Sequence, residues 1–287
     1  MSAPAGVSGG LTRFRIDLSY DGTDFAGWAK QPNLRTVQGE LLRALTEILG
    51  KSSEDFFMRV GGRTDAGVHA DHQVCHIDLT DAQLKRIGRN PLSALRINSL
   101  LPTDIAVLDV QLARPGFDAR FSAIGRSYVY AIADSQCAPN PKWVRYTLTH
   151  PRLLSVEKMS SAAKKLIGLK DFGAFCRPRE GATTIRELKK LTVKRAKDGR
   201  ILVLVSADAF CHNMVRALVG ALVAAGEGKL SPMELAKLQQ AAKRTSAFKV
   251  VGPQGLSLSE IRYPVASQLA KQAEKARNIR SSEEISV

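Results

Sequence analysis

One run of the sequence stands apart in the chemistry it could perform: Gly61-Gly62-Arg63-Thr64-Asp65-Ala66-Gly67-Val68-His69-Ala70. Two glycines, an alanine and a third glycine surround one carboxylate, so bulky walls are absent and a substrate could approach Asp65 closely. Such a carboxylate can serve as nucleophile or base. It can equally bond nearby backbone amides in a tight turn, as Asp commonly does. The pattern alone leaves both readings open. A second cluster follows at once: His69, His72 and His76, with Asp71 and Cys75 between them. Imidazoles this close could bind zinc or another transition metal. On a straight strand, however, His72 and His76 share a face about 13 Å apart at about 3.3 Å per residue, too far to reach one ion.

Other chemistry-bearing patterns are missing. Gly22, Gly27 and Gly39 are not spaced as a P-loop or a dinucleotide fingerprint, so a nucleotide cofactor is not expected. There is no GxSxG elbow and no HExxH. Aromatic residues are 6% of the chain, too few for a broad base-stacking platform. Tyr128 and Tyr130 lie at period two beside Arg126, where they suit either a core or stacking on a base.

These residues need elements to position them. Alternation predicts strands over Arg13–Tyr20, Gln73–Leu79, Ile105–Leu112 and Ser127–Ala133, with a short segment over Met58–Gly62. Helical spacing covers Thr36–Leu49, with Thr36 as N-cap, and Pro91–Leu100 is expected to be helical. A similar order follows: a helix over Val156–Ile167, strands over Leu191–Lys197 and Ile201–Ala207, and an apolar helix over Met214–Ala225. Ser231 caps a helix to about Lys243, and Leu256–Tyr263 is the last strand. The expected class is α+β, with two similar halves, each holding a mostly antiparallel sheet. The expected division is a flexible extension at 1–10, an N-terminal domain at 11–140, a basic C-terminal domain at 141–265 and a polar tail at 266–287, either a frayed helix or disordered.

The chain has 287 residues, 44% of them hydrophobic, enough for a substantial core. Its 42 Lys plus Arg against 27 Asp plus Glu give a formal net charge of +15. Lys142 to Arg200 alone carries 16 basic and five acidic residues. Such one-sided charge points to a polyanion, nucleic acid above all. The longest apolar stretch, Ala217–Ala225, is too short to span a bilayer, and the first ten residues do not resemble a secretory signal. Cys75, Cys137, Cys176 and Cys211 form no CxxC pair, and are expected to be idle thiols in a reducing cytoplasm.

The run GGRTDAGVHA resembles the catalytic loop of tRNA pseudouridine synthases of the TruA family. The resemblance extends through Ser19-Tyr20-Asp21-Gly22, Phe25, Gly27-Trp28 and Thr36-Val37-Gln38. It continues through Arg120-Phe121-Ser122-Ala123, Arg126, Tyr128 and Tyr130, then Lys170-Asp171-Phe172 and Phe175. Phe210, His212, Met214-Val215-Arg216 and Gly255-Leu256 complete it, in order, from about Arg13 to Tyr263. Cys211, Asn213 and Ser127 depart from the family's pattern, in positions that affect details of RNA contact.

The resemblance implies isomerisation of uridine to pseudouridine at positions 38, 39 and 40 of tRNA, without cofactor or metal. It implies the pseudouridine synthase fold, with a catalytic cleft between two subdomains. Asp65 would be the catalytic carboxylate, attacking the anomeric carbon or removing the C2′ proton. A carboxylate in an RNA-filled pocket needs a nearby cation to stay ionised, and the resemblance assigns Arg216. Tyr128 would stack on the uracil and could relay the C5 proton, and Leu256 would close the pocket. Arg63 and Arg120 are assigned to substrate binding. The family's members are homodimers, so a cytoplasmic homodimer acting on the anticodon arm is expected. The alternatives are a synthase of the same fold acting on another RNA, or a metal-dependent RNA hydrolase using His69, His72 and His76.

Overall fold

The computed structural model describes residues 10–50, 57–88, 91–177, 183–278 and 285. The expected flexible extension, apart from Gly10, and the last part of the expected tail lie outside them. The chain forms two compact units, one running to Ile124 and including Leu258–Asn278, the other spanning Gly125–Ser257.

In the first unit, β1 (Leu11–Tyr20) is followed by α1 (Val37–Leu49), β2 (Met58–Val60), β3 (His69–Thr80), α2 (Asp81–Ile87), α3 (Ala94–Asn98) and β4 (Ile105–Leu112). β1 lies between antiparallel β3 and β4, with β2 antiparallel on β3. The sheet order is β4-β1-β3-β10, the last being the strand Leu256–Arg262. α1 buries Val37, Leu41, Ala44, Leu45, Ile48 and Leu49, the apolar stripe of its sequence, and Thr36 caps it by accepting the Gly39 amide. β3 is longer than alternation suggested, beginning at His69, and Gln73 to Leu79 are buried without a break. α2 was missed; its signal is a capping box between Thr80 and Gln83.

In the second unit, β5 (Gly125–Ala133) pairs antiparallel with β9 (Ile201–Ala207), β9 with β8 (Ile185–Arg195), and β8 with β7 (Gly168–Asp171). A short β6 (Leu148–Thr149) runs parallel to β5. The helices are α4 (Val156–Leu166), α5 (Met214–Gly226) and α6 (Pro232–Ala241). Every residue of α5 except Arg216 is buried, so the helix is apolar on all sides but one. The architecture is α+β, as expected.

One expectation needs correction, that of four idle thiols. The compact units divide at 124/125 and 257/258, whereas the expected domains divide at 140/141 and 265/266. The cause is that β5 pairs with β9 residue for residue, from Arg126↔Ala207 to Ile132↔Ile201, which draws it into the second unit. The polar tail contains α7 (Leu269–Lys275), which buries Leu269 and Ala273 in the first unit, where the Ser122 hydroxyl donates to the Leu269 carbonyl. Of the two forms expected for this segment, a frayed helix or a disordered tail, the described part takes the helical one. Finally, Cys176 and Cys211 are joined as a disulfide, with Cα atoms 5.7 Å apart, while Cys75 and Cys137 are free and buried. A sequence separation of 35 hides the pair from spacing rules.

The first unit also buries a charged layer. Arg13 makes a two-pronged contact with Asp78 at 2.6 and 2.7 Å, and Arg59 donates to Asp118 at 2.6 Å. His76 lies among these groups, fully buried; its Nδ1 accepts the Ala119 amide and its Nε2 has no hydrogen-bond partner among the described residues. Burial, then the Arg13 charge, depresses its pKa to about 4, against the pull of Asp118 and Asp78 and with a further push from Arg59. The fold therefore prefers neutral His76. That contribution is whole above about pH 6.5 and is lost as pH falls toward 4, amounting to a loss on the order of 3 kcal/mol. Urea unfolding between pH 7 and 4 should show this slope, and His76→Asn, whose amide oxygen can replace Nδ1, should flatten it.

Candidate active site

The glycine-rich run is a loop joining β2 to β3, and its few side chains leave its shape to be held from outside. Trp28 N–H donates to the Thr64 carbonyl at 3.0 Å, and Gly67 N–H to the Phe25 carbonyl at 3.2 Å. Within the loop, Val68 N–H returns to the Asp65 carbonyl. Gly22 packs so tightly beneath it that a Cβ there would strike the Val68 carbonyl. Gly27 has φ +94°, and a Cβ there would come within 2.9 Å of the Thr64 carbonyl. The Gly22 amide donates to His69 Nδ1 at 3.0 Å. Asp21 Oδ1 also lies 3.1 Å from that nitrogen, yet it already accepts the Thr23 amide and hydroxyl. Asp65 is half-buried on this loop and Arg63 is exposed. Arg120, also in the first unit, is exposed at a turn where Asp118 accepts the amides of residues 120 and 121.

Tyr128, Arg216 and Leu256 belong to the second unit. Tyr128 is 8% exposed on β5, and Phe210 meets its ring edge-on at 5.1 Å. Tyr130, the next residue on that face, donates to the Gly252 carbonyl at 2.7 Å, and burial pushes its phenol upward. It is a core residue. Arg216 lies in the first turn of α5; its Nε donates to the Val251 carbonyl at 2.8 Å and its Nη1 lies 3.5 Å from Asn213 Oδ1. Leu256 is 5% exposed at the start of β10. Residue spacing could not have revealed Phe210 or Val251 as the neighbours that orient Tyr128 and Arg216, because both come from irregular segments.

The histidines do not converge. His69 and His76 are buried with Nδ1 turned to the amides of Gly22 and Ala119, and His72 is part-exposed with Nε2 3.7 Å from Asp17. Among the described residues, no three His, Cys, Asp or Glu side chains gather as a metal-holding group. The hydrolase reading loses its donor set. A separate cavity of about 120 Å³ in the first unit is lined by Arg15, Arg114, Phe117 and Tyr263 among others, and no residue of the Asp65 loop reaches it.

Residues 162–264 match the family model described as tRNA pseudouridine synthase. The chain is 48% identical over 282 residues to tRNA pseudouridine synthase A of Leifsonia xyli, covering 94% of this chain and 98% of that one. It is 47% identical over 276 residues to the protein of that name in Frankia casuarinae, covering 96% and 97%. A Mycobacterium leprae protein of the same name is 41% identical across 98% of this chain and all of its own. The chain belongs to the tRNA pseudouridine synthase A family. Pseudouridine synthases are isomerases, and this is one of them.

Some residues that carry the synthase resemblance are structural. Phe172 and Phe175 are fully or nearly fully buried, and Asp171 holds the turn between them by accepting from the Gly173 amide and the Thr184 hydroxyl. The basic segment also divides in two. Arg195 is not available to RNA: it grips Asp134 through two bonds of 2.9 and 2.8 Å, and the Asp134 side chain is entirely buried. Lys189, Lys190 and Lys194 are exposed on β8, where Leu191 and Val193 point inward. Replacing the three lysines by Ala should leave stability almost unchanged and reduce the salt slope of tRNA binding by about 2 to 3 log units per log unit. Arg195→Ala should instead destabilise by about 3 kcal/mol, since it strands a buried carboxylate. Binding titrations at several salt concentrations, paired with thermal melts, separate the two outcomes.

Proposed function

We propose that this synthase isomerises uridine to pseudouridine in the anticodon arm of tRNA, at positions 38, 39 and 40. The observation that carries this reading is the near full-length identity to three proteins named tRNA pseudouridine synthase A. The choice of Asp65, Tyr128, Arg216 and Leu256 as site residues rests on the family resemblance of the runs that hold them. In the reaction, the N1–C1′ bond breaks, the uracil turns, and C5 bonds C1′. The C5 proton leaves and N1 gains one, so product and substrate are isomers and no electron carrier is consumed.

Asp65 supplies the carboxylate, acting on C1′ as nucleophile or on the C2′ proton as base. The open, glycine-lined loop lets a ribose come against it. Arg216 is the cation that keeps Asp65 ionised beside RNA phosphates, Tyr128 stacks on the uracil, and Leu256 closes the pocket. Arg63 and Arg120, both exposed, bind the substrate backbone. Reaching this site requires the uridine to leave its stack, at a few kcal/mol, which phosphate contacts from the exposed lysines offset. The protein works as a cytoplasmic homodimer. No helix among the described residues is long and apolar enough to cross a membrane.

Nucleoside analysis of a tRNA transcript after incubation tests the reading directly. Asp65→Asn should abolish pseudouridine formation while tRNA affinity stays within a few-fold, because the amide keeps the shape without the chemistry. Measurable turnover by that variant would remove Asp65 from its role. Arg216→Lys keeps a charge but not the planar fork, and should lower turnover at least about tenfold, about 1.4 kcal/mol of barrier, with little loss of affinity. Pseudouridine appearing in another RNA and not in tRNA would redirect the substrate assignment.

A further inference from the structure

We propose that Tyr20, Thr64 and Gln73 form a buried hydrogen-bond chain that fixes the backbone entering Asp65, making Tyr20 and Thr64 positioning residues for the isomerisation. The proposal rests on the reading of Asp65 as the reacting carboxylate.

The direction of the Gln73 bonds follows from donor and acceptor chemistry. Gln73 Oε1 accepts the Val74 amide at 3.1 Å, which leaves its Nε2 to donate. That nitrogen donates to the Gly62 carbonyl at 2.6 Å and to the Tyr20 hydroxyl oxygen at 3.3 Å. The Tyr20 hydroxyl in turn shares a hydrogen bond of 2.8 Å with Thr64 Oγ1, in which either oxygen can donate. The Thr64 carbonyl is meanwhile held by the Trp28 amide. Thr64 is thus fixed at both side chain and main chain, one residue before Asp65, and Gly62 is fixed on the far side of Arg63.

The anchors are rigid. Tyr20 ends β1 and Gln73 lies in β3, two strands paired from Leu11↔Thr80 to Tyr20↔Ala70. The Tyr20 ring packs against Phe25 and Trp28, with centroids 6.4 and 6.2 Å away, which holds its orientation. All three side chains are buried, Gln73 completely. Such a chain is not needed merely to fill space. Phe and Val have nearly the shapes of Tyr and Thr, and replacing both partners of a buried hydrogen bond with apolar groups can be nearly neutral for stability. What Phe and Val cannot do is set the height and angle of a loop that has almost no side chains of its own. A misplacement of about 1 Å at a reacting group is enough to slow chemistry severely.

The test uses the full chain with an unmodified tRNA transcript. Steady-state kcat and KM and melting temperature are measured for wild type, Tyr20→Phe, Thr64→Val, Thr64→Ser and the Tyr20→Phe/Thr64→Val double variant, beside Asp65→Asn. Tyr20→Phe and Thr64→Val should each lower kcat about tenfold with KM within about twofold. Thr64→Ser, which restores the hydroxyl, should recover most of the rate. The double variant should be no slower than the worse single one, because both remove the same bond. Wild-type kcat in a folded Tyr20→Phe or Thr64→Val would overturn the proposal. So would losses confined to KM or melting temperature, or losses that multiply in the double variant. Inactive Asp65→Asn beside a fully active Tyr20→Phe would overturn this chain alone, whereas an active Asp65→Asn would overturn the underlying reading.

Discussion

A carboxylate that works on a ribose must be open to a bulky polyanion and yet stay fixed to a fraction of an ångström. In the proposed reading these demands conflict at Asp65, because Gly62, Ala66 and Gly67 around it supply little packing of their own. The first unit resolves the conflict by moving the constraint outside the loop. Amides of Trp28 and Gly67, and the Gly22 amide on His69, tie it to the segment that follows β1. The same need explains the glycines at 22 and 27, where any side chain would collide with loop backbone. The sheet of β4, β1 and β3 serves this site chiefly as a stiff base to which those bonds are anchored.

Charge is partitioned by residue type in a way that composition conceals. Arg13, Arg59 and Arg195 spend their forked guanidinium groups on Asp78, Asp118 and Asp134, all buried carboxylates. Bidentate geometry suits Arg to that task, whereas Lys, a hydrated point charge on a flexible stem, suits a surface that must meet phosphates in many registers. The exposed lysines of β8 fit the second description. Counting +15 therefore overstates the charge free to meet RNA and understates how much of it holds the fold together.

Period and capping made most elements legible: β4 and β9 coincide with their alternating runs, and Thr36 and Ser231 cap the helices their hydroxyls announce. The start of β3 was hidden because His69, Ala70, Asp71 and His72 show no apolar alternation, and the seven residues of α2 are too few to show a period. The unit boundary was illegible because it depends on which strand β5 pairs with, a long-range choice that local text does not encode. Asp65 itself drew attention through its glycines, but its role came from resemblance. The Tyr20, Thr64 and Gln73 contacts left no trace in spacing, since they join residues 44 and 53 positions apart.

Arg216 shows how an unfavourable placement can be informative. It stands in the first turn of α5, where the unpaired amides and the helix dipole already present positive potential, so a cation there is electrostatically uphill. Every other residue of that helix is buried and uncharged, and its N-cap, Asn213, is held at φ 66° without a side-chain cap bond. A sequence selected for stability alone would place an apolar residue or a carboxylate at this position. What the structure supplies instead is orientation: the Val251 carbonyl takes one N–H of the guanidinium, and Asn213 lies near another. Two neutral hydrogen-bond acceptors orient a cation at a helix end of like sign, so its placement follows direction rather than stability.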